Sequence, residues 1–259
     1  MRTANPALSD TAFERAVADW APPTGAPVDV DQRTDVMTVR GTIWATAALL
    51  ALVVATGVFG WNSVERGLEG QAIALPGWLI VAMLGGLGIA ILTIFKPNLA
   101  RFTAPLYAAV QGLVLGAISA VYNSAYEGIV VQAVGLTLGV MGLMLFLYAS
   151  RIIKVTEKLR MGIVAATGAI FLVYMVSFVI NLFGGSAPFI HDTGAVGILI
   201  SLAIVGVAAF NFLLDFDFIE KASAAGAPRR MEWFAAFGLL VTLVWLYLEM
   251  LRLLAKLRE

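Results

Sequence analysis

The chain has 259 residues, of which 60% are hydrophobic and 13% charged, roughly half the charged share of an ordinary soluble domain. Lys+Arg and Asp+Glu number 17 each, so the net charge is zero, which argues against a nucleic-acid partner that would need a basic field. With no cysteine and one histidine, His191, thiol catalysis, Cys-ligated metals and HExxH zinc chemistry are excluded, and neither an enzyme nor a bound cofactor is expected.

Residues 1–40 carry ten charges and Pro6, Pro22, Pro23 and Pro27, the composition of a surface-lying or poorly ordered cytosolic tail. No short apolar run follows a basic start, so it does not read as a secretory signal. Charge-free stretches then run over 41–64, 70–95, 102–126, 128–150, 161–190 and 193–214, each long enough to cross about 30 Å of hydrocarbon as a helix. A seventh, 233–248, has 16 residues flanked by Glu232 and by Glu249, Arg252 and Lys256, whose long side chains can snorkel. The expected fold is all-α: a polytopic membrane domain over 41–254. Its seven helices fall near 41–62, 76–96, 104–122, 128–150, 161–183, 194–219 and 232–254, and 255–259 form a short C-terminal tail. A full crossing by the seventh helix and a re-entrant one are both open.

Thirteen of the 17 basic residues fall in the tail and in the loops after the second, fourth and sixth helices, so the N-terminus is expected to be cytosolic. The basic Arg252, Lys256 and Arg258 at the other end of the seventh helix are the discordant element. Small residues repeat at four-residue spacing at Gly112, Gly116 and Ala120, at Gly135 and Gly139, and at Gly162 and Ala166. These rows are expected to let helices approach closely within a bundle core.

Charges inside a bilayer are costly, which draws attention to Asn211-Phe-Leu-Leu-Asp215-Phe-Asp217-Phe-Ile-Glu220-Lys221 at the end of the sixth helix. Asp217 and Lys221 share a face and read as an interfacial ion pair. Asp215 sits about 200° round from Asp217 with no basic residue three or four positions away, so it must find a partner on another helix, share a proton or face water. Glu249 and Arg252 read as a second interfacial pair. Gln111, Gln132, Thr137, Asn181 and Thr242 read as interhelical hydrogen-bonding groups, and His191 as a solvated loop residue. A retinal-type lysine inside the last helix, a serine nucleophile with a histidine base, and a phosphate loop at Gly85-Gly86-Leu87-Gly88 all lack the context they need.

The stretches Asn5-Pro6-Ala7-Leu8, Pro105-Leu-Tyr107 to Gly116, Gly128 to Ala133, Asn211 to Glu220 and Met231-Glu-Trp-Phe to Leu257 resemble the Bax inhibitor-1 family, in its bacterial branch. The resemblance implies six helices around a central seventh, and a calcium leak that responds to pH. It also implies a proton-sharing pair of aspartates, one on helix six and one on helix seven. The first matches Asp215; counting back from Arg252, the second falls on Thr242, a departure from the family pattern. Gln111, where relatives often have glutamate, is another. The family's helix-two arginine is also missing, and Lys96 is the substitute counter-ion expected for Asp215.

The expected function is thus a calcium leak in a bacterial plasma membrane. Asp215 is a protonation-sensitive latch held by Asn211 and Thr242, with Asp217 beside it, and also the one candidate calcium-contacting carboxylate. The alternative is a non-conducting protein that acts on a membrane protease or stress response through a membrane partner. An interior acidic lining separates the two, because a divalent ion is easiest to conduct past convergent carboxylates.

Overall fold

The structure, a computed structural model, describes residues 35–64, 76–182 and 194–258, apart from the side chains of Phe178, Asn181 and Leu182. The tail before residue 35, with its family-like Asn5 to Leu8, and His191 lie outside the described residues, as does the side chain of Asn181. Among the described residues, seven helices are long and apolar enough to cross a membrane. They are α1 (Val39–Asn62), α2 (Trp78–Phe95), α3 (Ala100–Ala125), α4 (Ile129–Ala149), α5 (Glu157–Leu182), α6 (Ala195–Ala224) and α7 (Met231–Arg258). A 3-10 turn, Pro97–Leu99, joins α2 to α3.

A helix that is apolar all round belongs in a core, and α7 shows this. Of its most apolar window 78% is buried, against 22% or less for α1, α2, α4 and α5. Phe234, Ala235, Ala236, Phe237, Leu240, Leu246 and Leu251 are fully enclosed. Helix α7 packs on α1, α3, α4 and α6, whereas α2 leans on α3 and α5 on α6. The seventh helix is therefore central. It also runs the full height of the bundle: Arg258 donates to the carbonyl of Glu127 and to Gln132 Oε1, and Lys256 to the carbonyl of Gly197. Those partners sit at the α3–α4 turn and at the start of α6, the end opposite the α6–α7 turn. The charge-free run is short because Glu249 and Lys256 of α7 are carried into the protein interior.

Two tight turns depend on glycine. Gly128 at φ 76° caps α4 and donates its N–H to Asn123 Oδ1; Gly226 at φ 70° ends α6, with Ala227 N–H closing onto the carbonyl of Ala222. The helices α1 and α3 approach at backbone distance. A Cβ at Gly112 would overlap Val53 and Thr56, one at Gly116 would overlap the backbone of Gly57, and one at Gly60 the backbone of Leu113. The other glycine rows do not do this: Gly135, Gly139 and Gly162 face open space.

The last residues before α1 are docked on the bundle. Met37 is buried, its N–H bonds the carbonyl of Ala227, and Val36 bridges to Pro228. Thr38 caps α1 and both its N–H and its hydroxyl donate to Glu232 Oε1 at 2.9 Å. Gly41 leaves the room this carboxylate occupies, since a Cβ there would collide with it. The entry to α1 and the start of α7 are thereby locked together at the basic end of the bundle.

Candidate functional site

The candidate site lies where α5, α6 and α7 meet. Asp215 is wholly enclosed, and Thr242 Oγ1 donates to its Oδ2 at 2.6 Å while also lying 3.4 Å from the carbonyl of Gly238. The position that the family resemblance assigns to a second aspartate thus holds a hydroxyl that faces the first, tying α6 to α7. Asn211, 2% exposed, is one turn away on α6. Its amide donates to Thr167 Oγ1 of α5 and to the carbonyl of Val207, both at 2.9 Å. Through these bonds it joins α6 to α5 one turn from Asp215.

Asp217 does pair with Lys221, at 2.6 Å, but it is not merely interfacial. Arg160 of α5 donates to the same Oδ2 at 2.7 Å, and the side chains of Arg160 and Asp217 are 6% and 12% exposed. The opposed charges satisfy one another where neither is well hydrated. Lys96 is not brought to Asp215. It is exposed at the end of α2, and among the described residues it takes part in no ion pair. The reason is topological: α2 leans on α3 at the rim, and no basic side chain on α2 points across the bundle.

A second buried carboxylate stands farther from the basic end. Glu249, 1% exposed, accepts from Tyr174 at 2.7 Å, from Trp245 Nε1 at 3.2 Å and from Arg252 through both oxygens at 2.9 and 2.8 Å. Arg252 donates in addition to Tyr174 Oη at 2.6 Å and lies over its ring. The reading of Glu249 and Arg252 as an interfacial pair is therefore corrected; they are an interhelical knot. It borders a cavity of about 370 Å³ between α5 and α7, which reaches down to Thr167.

Together these contacts form a ladder. On α5 the polar rungs are Arg160, Thr167 and Tyr174; on α7 they are Thr242, Glu249 and Lys256. Both rows step by seven residues, two helical turns, so each stays on one stripe and rises about 10.5 Å per rung. The seven-residue spacing was the sequence signal for Arg160, Tyr174 and Glu249, hidden because each row mixes residue types. Chemically, the ladder offers carboxylates, hydroxyls and an amide at successive depths, the groups that replace water around a cation or relay a proton. Among the described residues no three His, Asp or Glu groups converge to hold a metal.

The model of Bax inhibitor 1 like proteins matches residues 5–259. The chain belongs to that family. No curated protein and no solved structure matches it. In this Bax inhibitor 1 like protein the match spans all seven helices and includes both Asp215 and Thr242.

Proposed function

We propose that this chain is a pH-responsive ion leak of the bacterial plasma membrane, with calcium as its cargo and its basic end in the cytosol. The observation that carries the reading is the pair of buried carboxylates, Asp215 and Glu249, on a polar ladder that runs along α5, α6 and α7. Polar groups in a bilayer interior are costly unless they work, and here they recur at every second turn. Asp215 is the latch. Its bond from Thr242 fastens α6 to α7, and adding a proton to Asp215 removes the charge that a passing cation would meet. The knot of Glu249, Tyr174 and Arg252 is the corresponding constriction farther from the basic end, where a cation must compete with the Arg252 guanidinium.

The test is calcium flux into liposomes carrying the purified full chain at several pH values. The reading expects flux that changes with pH in the parent. No flux from folded protein at any pH would overturn it and put the non-conducting interaction protein ahead, a reading favoured by the lack of a cluster of three acidic groups among the described residues.

A further inference from the structure

A second cavity, of about 470 Å³, opens on the other side of α7. It is a cleft between α1 and α4, which exists because α1 packs at backbone distance on α3 while α4 does not follow it there. Its walls include Val54 and Val58 of α1 and Val134 and Leu138 of α4, all exposed, and its floor includes the buried Leu243 and Tyr247 of α7. On α1 the lining runs from Leu50, at the middle of the helix, to Trp61 beside its end. The cleft therefore lies at hydrocarbon depth, in the half of the bundle away from the basic end.

Water has nothing to hold there. The Ser119 hydroxyl is bonded to the carbonyl of Leu115 and to Tyr247 Oη, both at 2.6 Å, and Thr137 donates to the carbonyl of Ala133 at 2.7 Å. A polar site is required for a buried water, and an apolar cavity of about 150 Å³ already takes a benzene-sized guest. This one is about three times larger and falls within the range of roughly 300–1,000 Å³ of small-ligand sites. At the same end of the bundle as the lining Trp61 and Val130, Gln132 of α4 holds the exposed Arg258 guanidinium at 2.9 Å, about 16 Å along α7 from Tyr247 at 1.5 Å per residue. A cation over an apolar slot complements a phosphate joined to a hydrocarbon chain.

We propose that this cleft is a binding site for one acyl chain of a membrane phospholipid, with the lipid phosphate met by Arg258. The chain enters sideways between α1 and α4 and lies against the face of α7 opposite the one that presents Thr242 to Asp215. The site stands apart from any conduction, so its test reads lipid and not flux. The full chain, purified in detergent and incubated with phosphatidylglycerol, is weighed by native mass spectrometry. One lipid is expected to stay with each chain. The double variant Val134→Trp/Leu138→Trp, which fills the cleft from its exposed walls, should lower the retained fraction at least fivefold. Ile80→Trp, on the exposed face of α2, should leave it unchanged. Leu138→Trp alone, expected to lower retention in the same direction, serves if the double variant does not fold. Equal retention by parent and by a folded cleft-filling variant would overturn the proposal, as would a folded parent that keeps no lipid. Loss of retention in Arg258→Gln but in neither filling variant would mark a headgroup contact on the surface and would also overturn it.

Discussion

Asp215 and Asp217 are two residues apart, and their surroundings separate their roles. Asp217 pairs with both Arg160 and Lys221, so Asp217→Asn removes the buried one of the two carboxylates bonded to Arg160, leaves the exposed Glu157, and should cost about 1.5–3 kcal/mol. Asp215 is fastened by the neutral Thr242, so Asp215→Asn keeps a hydrogen-bonding group in place and mimics the protonated acid. That variant should leak at the parent's low-pH rate at every pH, whereas folded Asp217→Asn should keep the pH response. Flux against pH, beside thermal unfolding in detergent, separates the two. Thr242 gives the complementary experiment. Thr242→Val removes one donor and should cost about 1 kcal/mol without adding a proton-binding step. Thr242→Asp places a second carboxylate against the first, and two such groups hold a proton between them and titrate as a pair. Infrared difference spectra should then show a second carboxyl step. One unchanged step in folded Thr242→Asp would mean that the facing of α6 and α7 is wrong.

Among the elements, glycine sets which helices touch, and spacing alone does not reveal where it does so. Gly112 and Gly116 lie against α1 at backbone distance, while Gly135 and Gly139 meet nothing, although both pairs have the same four-residue spacing. The partner row, Gly57 and Gly60, had to lie on the facing helix for the first pair to matter, and a single helix cannot report that. Gly116→Ala should therefore destabilise by about 1–3 kcal/mol through overpacking. Gly135→Ala should be neutral, or stabilise by up to about 1 kcal/mol through helix propensity. Unfolding midpoints of the two variants in detergent check the contrast, and similar shifts would contradict the packing of α1 on α3. The same limit governs the polar groups. Seven apolar runs were legible because hydrophobicity is a property of each segment. The pairing of Asp217 with Lys221 was legible because it lies within one helix. Arg160 with Asp217, Thr167 with Asn211, and Tyr174 with Glu249 join residues 57, 44 and 75 positions apart, and sequence distance carries no trace of them.

For the molecule as a whole, charge and connectivity have to agree on which end faces the cytosol. The loops after α2, α4 and α6 and the entry to α1 share one end, and that end holds Lys96, Arg101, Arg151, Lys154, Lys158, Arg160, Lys221, Arg229 and Arg230. The basic C-terminal turn stands at the other end, which would weaken the argument if those charges were free to bias insertion. Two of the three are held within the bundle, Arg252 by Glu249 and Tyr174 and Lys256 by Gly197, which leaves the exposed Arg258 alone against the nine basic residues of the other end. The orientation rule depends on basic residues held in the aqueous phase beside the membrane, so the loops decide. Since the chain contains no cysteine, single cysteines can report each side without a background. Thr156→Cys, in the exposed α4–α5 connection, should resist an impermeant thiol reagent applied to intact cells and react only after permeabilisation. Leu257→Cys, exposed near the end of α7, should react from outside. Labelling at both positions from the same side would contradict an odd number of crossings. Labelling of position 156 alone from outside would invert the bundle and place the Asp215 latch at the outer mouth, where its protonation would follow external pH.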